Sequence, residues 1–216
     1  RGIVIGSTTT GKGTAQVQLD TLAYGQATLT QRKFYRVTGG STQNKGVVPD
    51  IKLVDIYNEE FGERKAKNAL KWDTIPTAPF KREGSVQPYI QNLAQLSQQR
   101  VVNDPQFKYL EQRKAIAKKT DEQKRVVLDI DQRKAELNAL EQQTLESENQ
   151  RRAVTGQKPY ANWESYQASI DALIESRAKM KAAKRPALAE EEVFVTESAQ
   201  VLLDYAKLQS TKASAK

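Results

Sequence analysis

Residues 2–19 read Gly2-Ile3-Val4-Ile5-Gly6-Ser7-Thr8-Thr9-Thr10-Gly11-Lys12-Gly13-Thr14-Ala15-Gln16-Val17-Gln18-Leu19, and the residues after Lys12 decide the fold. Ile3-Val4-Ile5 is a short apolar run of the buried-strand type. Residues 7–13 are rich in Ser, Thr and Gly, which marks a turn. Ala15, Val17 and Leu19 then alternate with Gln16 and Gln18, the period of a half-exposed strand. The order is strand, loop, strand, so this part of the chain is β-built. Residues 27–30 and 33–38 read as two further strands, followed by the turn Gly39-Gly40-Ser41. Val47-Val48-Pro49-Asp50-Ile51 closes the region, and Pro49 places that end at an edge or an exit.

Beyond residue 58 the pattern changes. Residues 59–85 carry Gly62, Pro76, Pro79 and Gly84 and read as a connection, with a short helix expected over 63–70. Trp72 and Ile75 are expected to pin it to something apolar. From Pro88 the apolar period becomes helical, with Ile90, Leu93, Leu96 and Val101 on one stripe. Asp104-Pro105 is an N-cap followed by Pro at the first helical position; this helix carries Phe107, Leu110, Lys114 and Ala117. Val126-Val127-Leu128 forms a break. Asp129, with Gln132 three residues on, restarts a helix whose apolar face is Ile130, Leu137, Leu140 and Leu145. Residues 105–152 together suit a long antiparallel helical arm. Gly156 and Pro159 close it. Another helix is expected over 163–184, with Tyr166, Ile170, Leu173 and Ile174 inward. Arg185-Pro186 interrupts, and a last helix over 190–208 places Phe194, Val201, Leu202 and Tyr205 on one side. The tail, 209–216, reads as disordered. The fold class is therefore α+β: a β-rich part at 1–58, a connection at 59–85 and a helical domain at 86–216.

Composition narrows the chemistry. The 216 residues contain no His and no Cys, which removes Ser-His-Asp triads, cysteine nucleophiles, zinc fingers and disulfides. Nucleophilic catalysis would need Ser, Thr or Lys. The chain is polar, 38% hydrophobic with a mean hydropathy of −0.69, and no apolar run is long enough to span a membrane. The net charge of +8 invites a nucleic-acid reading. However, Lys and Arg are interleaved with Glu and Asp through the helices, as on a solvated surface, and no nucleic-acid motif accompanies them. The chain begins at Arg1 inside a strand pattern and is expected to be a piece of a longer protein.

One stretch speaks of chemistry. Gly6 to Lys12 fits the first seven positions of a phosphate-binding loop, but Gly13 stands where a magnesium-binding Ser or Thr belongs, and a strand pattern stands where a helix belongs. A plain turn with an exposed lysine is the simpler alternative. A third reading makes Lys12 a proton acceptor, which requires a desolvated seat and a partner that aims the amine. Gln16, four residues on, is a candidate partner. Their α-carbons lie roughly 13 Å apart in a fully extended strand, whereas a helical turn would bring the side chains together.

Gly11-Lys12-Gly13-Thr14-Ala15-Gln16, then residues 33–43 (Lys-Phe-Tyr-Arg-Val-Thr-Gly-Gly-Ser-Thr-Gln), then Lys45-Gly46-Val47-Val48-Pro49-Asp50-Ile51 resemble the carboxy-terminal processing proteases. The nearest branch is the bacterial tail-specific proteases, which Asn68-Ala69-Leu70-Lys71-Trp72-Asp73 and a helical C-terminal extension also resemble. The resemblance is dense over about 1–75. It implies a serine endopeptidase with a Ser/Lys dyad in which Lys12 is the general base and Gln16 orients it. The family's serine lies about two dozen residues before that lysine, hence upstream of Arg1, as do the PDZ domain and oxyanion donors. None of Ser7, Ser41 or the later serines matches it, and residues 1–216 alone are expected to be inactive. The resemblance further implies a periplasmic address, no cofactor, and protein substrates with apolar C-termini. It also implies an adaptor lipoprotein as partner, with membrane contact only through it. Tyr160, Trp163 and Tyr166 are candidate docking aromatics, but an interhelical core role suits them better. Rival functions are a non-enzymatic helical docking module, a nucleotide-binding loop protein and a basic nucleic-acid binder.

Overall fold

A computed structural model describes residues 2–19, 24–55, 62–81, 84–180 and 188–214. The chain is α+β and divides into two compact units, one of residues 1–53 and 59–91, the other of residues 54–58 and 92–216.

In the first unit, β1 (Ile5–Gly6) pairs in parallel with β4 (Ile51–Lys52), Ile5 opposite Ile51. The Asp50 carboxylate accepts from the Val4 amide at 2.9 Å, and Leu53 N–H donates to the Gly6 carbonyl at 2.9 Å, extending the pairing at both ends. Ile51 and Leu53 are buried. β2 (Thr14–Leu19) and β3 (Ala27–Lys33) form an antiparallel ribbon whose register shifts between Ala15 and Gln16. The strand expected over 33–38 does not form. β3 runs unbroken from Ala27 to Lys33, then the chain folds back on itself. Gly39 N–H closes a turn on the Arg36 carbonyl at 2.8 Å, and Tyr35 and Ser41 make a single antiparallel bridge. A doubled-back segment this short leaves no room for a ladder.

The helix expected over 63–70 shrinks to a 3-10 turn at Glu63–Lys65. The backbone beyond it is committed elsewhere. Residues 70–78 lie as a strap along residues 37–44, with bonds from Ser41 N–H to the Asp73 carbonyl, Ile75 N–H to the Gly39 carbonyl and Ala78 N–H to the Val37 carbonyl. Trp72 does pin this strap, but through polar contacts and not apolar ones: its indole N–H donates to the Ser41 carbonyl at 2.9 Å, and Lys45 Nζ sits 3.2 Å from its ring centroid; Ile75, expected to share that role, is exposed. Lys33 pairs with Asp73 at 2.8 Å and also donates to the Lys71 carbonyl.

The second unit is helical: α1 (Gln87–Asn103, its start lying in the first unit), α2 (Pro105–Glu122), α3 (Ile130–Val154), α4 (Trp163–Lys179) and α5 (Ala189–Ser214). Asp104 caps α2, accepting from the amides of Gln106 and Phe107, with Pro105 at the first helical position. Asp129 caps α3, and Asn162 with Ser165 forms a reciprocal capping box on α4. α2 and α3 pack antiparallel, so that Ser147 Oγ donates to Gln112 Oε1 at 2.7 Å. The core is small: Leu93, Phe107, Leu110, Leu145, Val193 and Val201 are buried, and Phe107 stacks on Phe194 at 6.4 Å. Polar ties supplement it. Arg100 of α1 reaches both Glu197 and Asp204 of α5 at 2.7 Å. Arg151 and Glu148 form a buried pair beside Tyr109, whose phenol burial pushes up in pKa.

Several helical expectations need correction. Ile174, expected inward on α4, is exposed, and so is Leu202, expected on one side of α5 with the buried Val201. Ile130 and Leu137 are exposed, so only the Leu145 end of α3 faces the core; the Ile130 end extends beyond it. α4 stops at Lys179, because Met180 turns extended; residues 181–184 and the interruption at Arg185-Pro186 lie outside the described residues. The tail is not disordered from residue 209, since α5 continues to Ser214. A helix already nucleated by a packed turn propagates at little cost through residues such as Gln209 and Lys212, and Ser210 and Thr211 return their hydroxyls to the Lys207 carbonyl.

Candidate active site

Lys12 lies between two buried glycines in the loop that enters β2. Three neighbouring segments fix that loop through its backbone. The Gly11 carbonyl accepts from Asn44 N–H at 2.8 Å, the Gly13 carbonyl from Phe34 N–H at 2.7 Å, and the Thr10 carbonyl from Glu63 N–H at 2.9 Å. Gly13 N–H donates to the Gln43 side-chain oxygen at 2.7 Å. Only glycine fits here. Gly11 has φ +81°, and a Cβ on Gly13 would fall 2.3 Å from the Gln43 amide nitrogen.

The Lys12 ammonium donates to Gln16 Oε1 at 3.0 Å. The pair meets neither across a helical turn nor along a fully extended strand. Lys12 precedes β2, and the register shift at Ala15 and Gln16 swings the Gln16 side chain towards the loop. Gln16 Nε2 in turn donates to Thr30 Oγ1 at 3.3 Å on β3, while the Lys12 ammonium, which can only donate, takes the oxygen end of the amide. The strand after Lys12 also disposes of the phosphate-loop reading, which needs a helix N-terminus at that place.

Two participants escaped the sequence reading. Gln43 is fully buried, accepts from Gly13 N–H, and donates to Glu63 Oε1 at 2.9 Å; its own amide N–H is taken by Ser41 Oγ at 3.0 Å. Glu63 Oε2 lies 4.0 Å from Lys12 Nζ. The available signal for Gln43 was a lone amide side chain after Gly-Gly-Ser-Thr, too large and polar for a turn tip with no partner to serve. Glu63 gave none, since it reads as one more charged residue in a polar connection. Ser41, by contrast, is accounted for: its hydroxyl donates to the Phe34 carbonyl at 3.0 Å while accepting from Gln43, so it holds the loop and is not free to attack.

The Lys12 side chain is 46% exposed within residues 1–216, with Gln16 beside it also exposed. The arrangement can aim an amine at a partner arriving from solvent. Among the described residues no group of three or more acidic side chains gathers to hold a metal ion, and none of their helices is long and apolar enough to cross a membrane.

Comparison with known proteins divides the chain at a similar place. Residues 1–53 match Peptidase family S41, and residues 56–207 match the C-terminal domain of tail specific protease (DUF3340). A tail-specific protease from Haemophilus influenzae is 37% identical over 171 residues, covering 73% of this chain and 24% of that protein. The chain therefore spans about a quarter of the length of this relative.

Proposed function

Because the chain belongs to the tail-specific proteases, we propose that residues 1–216 are the C-terminal part of a periplasmic serine endopeptidase that degrades or trims proteins with apolar C-terminal tails. Lys12 is its general base and Gln16 the residue that aims it. The observation that carries this reading is the 3.0 Å bond from Lys12 Nζ to Gln16 Oε1, on an amine whose backbone is locked on both sides.

The serine comes from the part of the protease core that precedes Arg1. It attacks the scissile carbonyl while Lys12, as a neutral amine, takes its proton. Lys12 then gives that proton to the leaving amine and draws one from the water that releases the acyl-enzyme. The same preceding part of the core covers Lys12, supplying the desolvated seat that residues 1–216 leave open. Without it the 216 residues cleave nothing. The helical unit is a scaffold that helps wall the site or docks an adaptor lipoprotein.

The test uses the parent enzyme and an unfolded substrate with an apolar tail. Lys12→Ala is expected to lower kcat/KM by about a thousandfold or more with an unchanged melting temperature, and Gln16→Ala by about tenfold to a hundredfold. Wild-type turnover by Lys12→Ala would overturn the proposal.

A further inference from the structure

We propose that Glu63 is a positioning residue for Lys12, held in place by Gln43; this rests on the reading of Lys12 as the base. The groups form one connected chain. Gly13 N–H donates to Gln43 Oε1 at 2.7 Å, Gln43 Nε2 donates to Glu63 Oε1 at 2.9 Å, and Glu63 Oε2 faces Lys12 Nζ at 4.0 Å, with Gln16 Oε1 on the amine at 3.0 Å.

Each link has a direction. A backbone N–H can only donate and a carboxylate can only accept, so the Gln43 amide has one workable orientation between them. Gln43 is fully buried and offers no slack. Its cost of burial is met only while both partners are present. Glu63 is anchored a second time, its backbone N–H donating to the Thr10 carbonyl at 2.9 Å. Its carboxylate is therefore a fixed negative charge, its side chain 18% exposed, while the neighbouring Arg64 and Lys65 are exposed.

At 4.0 Å the carboxylate is too far to hydrogen-bond the amine, yet near enough for Coulombic attraction. That suits a group whose charge changes in the reaction. When Lys12 takes the serine proton it becomes an ammonium, and a fixed carboxylate stabilises that ammonium as it develops, without reorganising; the same charge favours the resting ammonium, which the desolvated seat supplied by the rest of the core must outweigh to leave the amine neutral. Gln16 holds one of the amine's N–H donors; Glu63 supplies the charge. Glu63 touches neither substrate nor serine and acts only through Lys12.

The experiment compares Glu63→Gln and Glu63→Asp with wild type in the parent enzyme, measuring kcat, KM and melting temperature on a tail-bearing peptide. Glu63→Gln keeps an acceptor for Gln43 but loses the charge. The expected result is a fall in kcat of about tenfold with KM within about twofold, and recovery of most of that loss by Glu63→Asp. A role in propping the loop alone predicts the reverse order, because Gln preserves the length and Asp does not. Glu63→Gln with wild-type kcat, or Glu63→Asp no better than Glu63→Gln, overturns the proposal; the second criterion holds even where Glu63→Gln lowers the melting temperature. Lys12→Ala runs alongside. If it stays active, the base and its positioner fall together; if it is inactive while Glu63→Gln is fully active, the positioner alone falls.

Discussion

Around Lys12 the chain is held by single hydrogen bonds between segments far apart in sequence: Thr10 to Glu63, Gly11 to Asn44, Gly13 to both Phe34 and Gln43. Around Leu110 the opposite device operates. Helices form from their own neighbours, end in caps such as Asp104 and Asn162, and then pack a few large apolar side chains. The loop has high precision and no redundancy, because each backbone group has one partner and no substitute. The helices have redundancy and tolerate loss, because many contacts share the load. A site that must place one amine belongs in the first kind of structure.

Substitutions should separate the two devices. The largest effect is expected at Gly13→Ala, where the new methyl meets the backbone of Gln43 and the loop must move; we expect parent activity to fall by about a hundredfold or more from misplacement of Lys12. A Gly13→Ala enzyme with normal turnover would break the comparison. Leu110→Ala comes next, costing about 2–5 kcal/mol of the helical unit's stability through transfer and cavity terms, read by denaturant unfolding. Asp104→Ala should cost about 1 kcal/mol, the worth of one N-cap. Lys118→Ala should change stability by less than about 0.5 kcal/mol, since its pair with Glu122 is exposed on both sides.

The two tryptophans sharpen the contrast without mutation, for Trp72 sits in the strap of the first unit and Trp163 opens α4. The Asp73 carboxyl is held below the usual carboxylate range chiefly by the Lys33 hydrogen bond, against opposing desolvation. A lowered folded value means that the pair steadies the strap above the unfolded value of about 3.9 and is lost as pH falls through the lower folded value. Acidification from pH 5 to well below the unfolded value should therefore change Trp72 fluorescence, an effect that Asp73→Asn removes. Equal acid responses from both tryptophans, each isolated by replacing the other with Phe, would deny the strap this special link.

Legibility in sequence follows the same divide. The Asp104-Pro105 start, the break at 126–128 and the restart at Asp129 were readable because helix signals are local. The end of α5 and the exposed Ile130 face were not, since propagation and burial depend on what packs where. In the first unit, Lys12 and Gln16 stood out through a resemblance, and no periodicity would have found them. Their meeting through a shifted strand register, and the service of Gln43 and Glu63, depend on bonds spanning fourteen or more residues, which leave no mark in any short window.

Gly13 carries one more consequence, for the drift of the sequence over generations. Its neighbour across the loop is a backbone nitrogen, and a backbone cannot be exchanged for something smaller. No second substitution nearby can make room, so there is no two-step path by which another residue enters position 13. Exposed positions on α2 such as Lys118 can wander freely. Among descendants of this chain the helices should diverge while the few residues flanking the lysine stay frozen.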